Sequence, residues 1–422
     1  MTNNTRELLE HEKYLLTRQK QINKLSKNIS GNVHIKRLPT LQQYNLDPNK
    51  RILFIAANHW SLADFILSTN EFLKYNIEVP FTLGGTNLYK SFITKEFLGI
   101  SLLPDLVKGG MIPVHRGQKT KIAKSNFKEL YNTLDDIINK QGNIKVYDKQ
   151  GRNKTGFIRP FQANIIKYIL GQIKNSNDEW DLIIETSNYD EIPEIETLEK
   201  TIRLNKEKPP GYGMKVLKTD IQSLRYHSKN GAAENEVHLI YDNPISIKEI
   251  LKSNKNNSQF ASQEIISLVN EKQKNIIITP TSLISSMLMF YSPNVESGEM
   301  VTPKKANRFF FEFFNNITDK NQYSLFIQER INDPNRRYEI IDRGIFCLNK
   351  GKEGRFATQL GQGFDMVKPQ YSKNKNMESD RNQVVEYYAN QIPHITENIF
   401  NTEIFTEFDF ELEKINKREE SK

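Results

Sequence analysis

The chain has 422 residues, 37% hydrophobic and 26% charged, with mean hydropathy −0.61, so most of it must meet water and there is material for two or three packed units. No run approaches the roughly 18 consecutive apolar residues of a membrane span, and a single cysteine, Cys347, excludes an internal disulfide framework and fits a reducing compartment. The formal charge of +8 and pI near 9.1 favour anionic partners such as an acidic lipid surface, phosphorylated metabolites or nucleic acid, although Lys and Asn are heavily used throughout.

The opening residues, Met1-Thr2-Asn3-Asn4-Thr5, carry no apolar signal core. From Thr5 to Asn28 the residues Leu8, Leu9, Leu15, Leu16, Ile22 and Leu25 recur at helical spacing between charges. A helix packed on the core is the simpler reading; a basic amphipathic helix also suits a membrane surface. Gly31-Asn32 ends it, and Pro39 and Pro48 mark a linker, so residues 1–49 form an N-terminal helical segment. Between 50 and 250, strands and helices alternate. Strands are predicted at Ile52–Ala57, Ile112–Val114, Asn143–Tyr147, Leu182–Thr186 and Val237–Tyr241, and a strand or approach loop at Glu78–Leu83. Helices are predicted at Ala63–Leu73, Lys121–Lys140 and Ile165–Ile173. The alternation predicts an α/β domain, a mixed and mostly parallel sheet flanked by helices. Residues 251–412 read as a helical subdomain, with helices over Ser262–Lys272, Thr281–Phe290, Lys304–Ile317 and Asp380–Phe400, no matching strand series, and a polar irregular stretch over 350–380. Residues 413–422 read as a charged tail.

The stretch that organises the rest is Ile52-Leu53-Phe54-Ile55-Ala56-Ala57-Asn58-His59-Trp60-Ser61-Leu62-Ala63-Asp64. An apolar β-branched run ends in Asn58-His59, and an amphipathic segment follows. His59 lies at a strand end, where α/β proteins place their chemistry. Asp64, about one helical turn on, is spaced to hold one imidazole nitrogen protonated and leave the other as a base. Such a base deprotonates a hydroxyl for attack on an activated carbonyl. A histidine at a helix start with a solvated aspartate is the plainer alternative.

Four further pieces follow in order. Gly84-Gly85-Thr86-Asn87-Leu88 permits close backbone approach, or is an ordinary turn. Gly109-Gly110 leads into a short strand that ends at His115-Arg116; the guanidinium fork suits a phosphate, and an ordinary surface Arg after a strand is the plainer alternative. Asp148-Lys149-Gln150-Gly151-Arg152-Asn153-Lys154-Thr155-Gly156 is a tight loop projecting Arg152 and Lys154, which could equally be a basic surface loop. Leu182 to Glu194 is a strand running into a Tyr189-Asp190 turn.

In this order the blocks resemble the glycerolipid acyltransferases, specifically the glycerol-3-phosphate and dihydroxyacetone-phosphate acyltransferase branch. Asn58, His59, Ser61, Asp64 and Phe65 match that family's Asn-His-x4-Asp block. Gly85, Asn87 and Leu88 match its Gly-Asn-Leu block, and Gly109, Gly110 and Arg116 its Gly-Gly-x4-Arg-Arg block. Arg152, Thr155 and Gly156 match the fourth block; Tyr189, Asp190, Ile192, Pro193 and Glu194 match the fifth. Echoes continue at Pro244-Ile245-Ser246, Thr279-Pro280-Thr281 and Tyr387-Tyr388-Ala389-Asn390, so the resemblance spans roughly 50–400. Lys149 stands where the family has Glu, Gln150 where it has Gly, Asn153 where it has Ser and Ile184 where it has Pro. Asp148, one place upstream of Lys149, is a candidate substitute for the missing Glu.

The resemblance implies acyl transfer from a thioester of coenzyme A or acyl carrier protein to glycerol-3-phosphate or a close acceptor, in phospholipid synthesis. It implies His59 as base and Asp64 as its orienting partner, with Arg116, Arg152, Lys154 and His115 on the acceptor phosphate. Gly109, Gly110, Gly151, Thr155 and Gly156 would shape the acceptor loop, Gly110 near the developing oxyanion. Trp60, Phe65, Leu88 and the apolar face of the helical subdomain are candidates for the acyl channel, with plain core as the alternative for each. No metal and no cofactor beyond the thioester co-substrate is implied. The expected setting is the cytoplasm, peripheral to the cytoplasmic face of an anionic membrane. Lysophosphatidate as acceptor, or a catalytically silent lipid- or acyl-carrier-binding relative, are the alternatives. No aromatic-basic stacking motif supports a nucleic-acid partner.

Overall fold

The computed structural model describes residues 9–47, 49–85, 107–114, 121–140, 142–148, 151–153, 155–194, 235–291, 322–333, 336–349, 357–360, 363–366 and 383–391. Two compact units divide the chain, Met1–Asn275 and Ile276–Lys422.

The first unit is an α/β fold around one mixed, mostly parallel sheet. Its elements are α1 (Glu10–Ile29), β1 (Asn32–Lys36), β2 (Lys50–Ala56), α2 (Ala63–Lys74), β3 (Phe81–Gly85), β4 (Met111–Val114), α3 (Lys121–Asn139), β5 (Ile144–Tyr147), α4 (Ile165–Ile173), β6 (Glu179–Tyr189), β7 (Glu236–Tyr241), β8 (Ile245–Ser246), α5 (Ile247–Ser253) and α6 (Ser258–Lys272). The strand order is β1-β7-β6-β2-β5-β3-β4, with β8 also paired to β6. Strands β6, β2, β5, β3 and β4 run parallel; β7 is antiparallel to β6, and β1 is parallel to β7. Buried from Arg51 to Ala56, β2 takes the continuous apolar run that a central parallel strand requires on both faces.

Alternation along β2 divides the core. Leu53 and Ile55 face one side with Ile144, Val146, Leu182 and Ile184, and bury against Leu134 and Ile138 of α3, Ile166 and Ile169 of α4, and Ile265 and Val269 of α6. On the other side Phe54 meets Phe72 of α2 and Tyr241 of β7 edge to face, at centroid distances of 5.2 and 6.3 Å. Helix α1 packs on α2, with Leu15 and Ile29 buried. Its His11 Nε2 lies 2.7 Å from the Val79 carbonyl, and Glu12 Oε1 accepts from Val79 N. This is the packed alternative of the two open for the N-terminal helix.

Three features differ from the sequence reading. Asn32–Lys36, expected within a linker, is an edge strand of the sheet. The division between units falls after Asn275 rather than after 250, because Ala261, Ile265 and Val269 of α6 complete the first unit's core. Within 350–380, Ala357–Leu360 (β9) and Gly363–Met366 (β10) pair as an antiparallel hairpin, where only irregular chain was expected.

The second unit contains α7 (Pro280–Tyr291), α8 (Leu325–Gln328), α9 (Arg337–Asn349) and α10 (Gln383–Ala389) among its described residues. Helices α9 and α10 both pack on α7, burying Leu283, Ile284, Met287, Ile340, Cys347, Val385 and Tyr388. A side chain at Gly344 would overlap Ile284 and the Pro280 carbonyl, so the glycine sets how closely α7 and α9 approach. Lys304–Ile317 lies outside the described residues, as does most of Asp380–Phe400. No helix among the described residues is long and apolar enough to cross a membrane.

Candidate functional site

After β2 the chain turns through α2 to β3 on one side of it. After β5 it crosses through α4 to β6 on the other side. The reversal makes the C-terminal end of β2 the switch point of the sheet, where open α/β sheets form a crevice. His59 sits there, three residues beyond the last residue of the strand.

Asp64, in the first turn of α2, is buried and collects donors on both oxygens. Its Oδ2 lies 2.6 Å from His59 Nδ1 and accepts from Trp60 N at 3.1 Å and Ser61 N at 3.3 Å. Its Oδ1 accepts from the Tyr189 hydroxyl and, at 3.4 Å, from Ser187 Oγ. These bonds, with the positive end of α2, suit a carboxylate and offset the cost of burying it. Burial, and then the charge of Asp64 beside it, push the Tyr189 hydroxyl well above its ordinary pKa, so it stays a donor. The pair therefore has a definite polarity. Asp64 accepts from its other partners, so Nδ1–H donates the hydrogen bond to it and Nε2 carries the lone pair. The His59 side chain is 18% exposed against 1% for Asp64, so the base is reachable and its partner is not. The Tyr147 ring packs on the imidazole at 4.6 Å.

The loop around His59 is tied to three other segments. Asn58 Oδ1 accepts from Ser187 N, and Trp60 Nε1 donates to the Ser187 carbonyl. Gln273 Nε2 donates to the Ala57 carbonyl. The His59 carbonyl accepts from Asn153 N at 2.6 Å. Glu194 joins two loops: it accepts from Ser61 Oγ and Leu62 N, and from Arg152 at 3.2 Å. The loop after β5 is shaped by Asn153, whose Oδ1 accepts from Thr155 N, Thr155 Oγ1 and Gly156 N, an Asx-turn arrangement. Gly151 and Gly156 adopt φ of 75° and 80°, which glycine takes without strain.

Ala57, Asn58, His59, Trp60, Asp148, Asn153, Ile158, Arg159 and Gln273 line a pocket. Arg159 donates to the Gly151 carbonyl at 2.9 Å and lies 4.0 Å from Asp148. The structure thus brings His59, Asp64, Arg152, Gly151, Thr155 and Gly156 into one neighbourhood. Asp148 lines the pocket, while Lys149 falls outside the described residues, as do His115, Arg116, Lys154, Asn87 and Leu88. Arg159 and Gln273 were not singled out from sequence. Arg159 lies three residues past Gly156 without a motif of its own, and Gln273 is brought in only by the packing of α6.

Gly109 and Gly110 require a correction. They precede β4, at its N-terminal end, whereas His59 follows the C-terminal end of the parallel strand β2. The four residues of β4 alone run about 13 Å toward the His59 end. A side chain at Gly110 would meet His11 Cδ2 at 2.8 Å, and its φ is 92°. The glycine serves the docking of α1, not an oxyanion.

No protein-family model and no curated protein matches this chain.

Proposed function

We propose that the protein is an O-acyltransferase of the glycerolipid type, with the corresponding acyltransferase fold. It would move a fatty acyl group from a coenzyme A or acyl carrier protein thioester to a hydroxyl of glycerol-3-phosphate or a close phosphorylated acceptor. The observation that carries this reading is the 2.6 Å His59–Asp64 pair at the sheet's switch point, opening on a pocket that Arg159 shares. In the proposed reaction His59 Nε2 takes the acceptor's hydroxyl proton, and the oxygen attacks the thioester carbonyl. The resulting oxyanion collapses, the carbon–sulfur bond breaks, and the imidazolium returns its proton to the departing thiolate. Asp64 fixes the imidazole and stabilises its charged form. Neither an acyl-enzyme nor a redox cofactor is needed.

Arg159 joins Arg152, Arg116, Lys154 and His115 as a candidate phosphate ligand, since a guanidinium presents its donors in a fork that matches phosphate oxygens. The product and the acyl chain favour work at the cytoplasmic face of an anionic membrane, with peripheral attachment through basic residues.

The test is a radiolabelled glycerol-3-phosphate assay with both thioester donors and a lysophosphatidate arm. Wild type should form lysophosphatidate, His59→Ala should lower turnover by about 10²–10⁴-fold, and Lys149→Glu reports on the departure in the fourth block. Lipid or carrier binding without transfer, unaffected by His59→Ala, would overturn the catalytic reading in favour of a binding protein.

A further inference from the structure

His34 and His238 are far apart in sequence, and the β1–β7 ladder makes them register partners. Their rings stack with centroids 4.8 Å apart. Glu236, two residues before His238, projects from the same face. Its Oε1 lies 3.4 Å from His34 Nε2, and its Oε2 lies 3.6 Å from His238 Nε2. One ligating atom from each of the three residues lies within 4.8 Å of the others. These separations are long for hydrogen bonds. His34 Nε2, His238 Nε2 and Glu236 Oε2 are in fact buried atoms that no hydrogen bond reaches. Three converging, unsatisfied atoms of this kind are costly to bury.

A cation resolves that cost. Zinc bonds of about 2.0–2.1 Å in a tetrahedral shell place neighbouring donor atoms about 3.4 Å apart, close to the two nitrogen–oxygen separations here. Two imidazoles and a carboxylate suit a divalent first-row metal and leave a fourth position for water. Access is available, because the His34 side chain is 29% exposed while Glu236 and His238 are 10% and 9% exposed. The face is also distinct. Ser187 and Tyr189 of β6 point at Asp64; Asn188 between them, and its register partner His238, belong to the opposite face.

We infer that His34, Glu236 and His238 form a binding site for a divalent transition metal of the zinc type, clasping the edge strand β1 to β7 on the sheet face opposite the His59–Asp64 pair. This goes beyond the proposed transferase activity and does not depend on it. A metal bound by the folded chain alone stabilises it by mass action, here by fixing a strand that pairs with β7 alone among the described residues.

The full chain, stripped with a chelator, is titrated with Zn²⁺ by calorimetry and its melting temperature followed. One equivalent should bind and raise the melting temperature. His34→Gln and Glu236→Gln should weaken that equivalent by at least the roughly 10–100-fold that loss of an outer-shell partner costs. Because Glu236→Gln disturbs buried atoms, a zinc-edge absorption spectrum of the wild type is the independent measurement, and should show imidazole nitrogen and oxygen ligands without sulfur. No bound equivalent, an equivalent undiminished in His34→Gln, or a spectrum lacking imidazole would overturn the assignment.

Discussion

Lys145 and Glu185 form an ion pair inside the sheet, Nζ lying 2.6 Å from Oε2, with the two side chains 1% and 2% exposed. Lys145 Nζ also donates to Ser68 Oγ at 3.1 Å and lies 5.2 Å from the centroid of the Tyr147 ring that packs on His59. A pair so deep contributes little net stability over an apolar replacement, but its halves cannot be separated cheaply. Lys145→Met should therefore cost about 3–5 kcal/mol by leaving a buried carboxylate unpaired, and Lys145→Met with Glu185→Met should recover most of it. Urea unfolding midpoints of the two variants decide this. If the double variant is no more stable than the single one, the account of the pair is wrong.

Buried tyrosines give the first unit an alkaline limit. Burial first, and then the charges of Glu185 and Asp64, raise the Tyr147 hydroxyl well above its ordinary value. Tyr241 is raised by burial and Glu185, and Tyr189 by burial and Asp64. Tyr168, more open, is pushed up to about 12 by burial and by its bond to Asp135. A raised folded pKa means that the folded state holds the proton more tightly. Stability from these groups is therefore complete below about pH 10, where the unfolded tyrosine begins to ionise, and is lost as pH rises further. Near-ultraviolet tyrosinate absorbance followed against pH should show a late, cooperative step coincident with unfolding. Smooth ionisation of every tyrosine around pH 10 in folded protein would contradict the burial.

Much of this was readable from the chain because the signals are local. The apolar run Ile52 to Ala57 is long enough to announce a central strand, and the five-residue step from His59 to Asp64 spans strand end and helix start. What was missed depends on partners distant in sequence. Asn32–Lys36 is short and polar and becomes a strand only because β7 lies beside it. His34 and His238 show no motif spacing, so only the ladder unites them. The resemblance places Gly110 in the acceptor loop, but a glycine does not itself name what approaches it. Here it is His11.

That last point is testable. Gly110→Ala places a Cβ 2.8 Å from His11 Cδ2 at a φ of 92°. The backbone strain alone costs about 1–2 kcal/mol, and His11, bonded to the Val79 carbonyl, has little room to yield. The variant should melt lower while keeping the wild-type KM for the acceptor. An unchanged melting temperature with a raised acceptor KM would return Gly110 to the acceptor site.

Arg159 is the described cation that shares the pocket with His59. One of its nitrogens already braces the Gly151 carbonyl and faces Asp148, so the guanidinium is held in place and still has other donors for a phosphate. In the proposed reaction it binds the acceptor before and during transfer alike. Its loss should therefore weaken ground state and transition state together. Arg159→Gln is expected to raise the acceptor KM by about 10–100-fold, the loss of one charged hydrogen-bonded contact, with kcat changed much less. Arg159→Lys should recover only part, because an ammonium is a point charge and cannot reproduce the fork. Steady-state kinetics with varied glycerol-3-phosphate measure both parameters. A fall in kcat at unchanged KM would instead make Arg159 a brace for the loop after β5, through Gly151, and would move phosphate recognition to the other candidate cations.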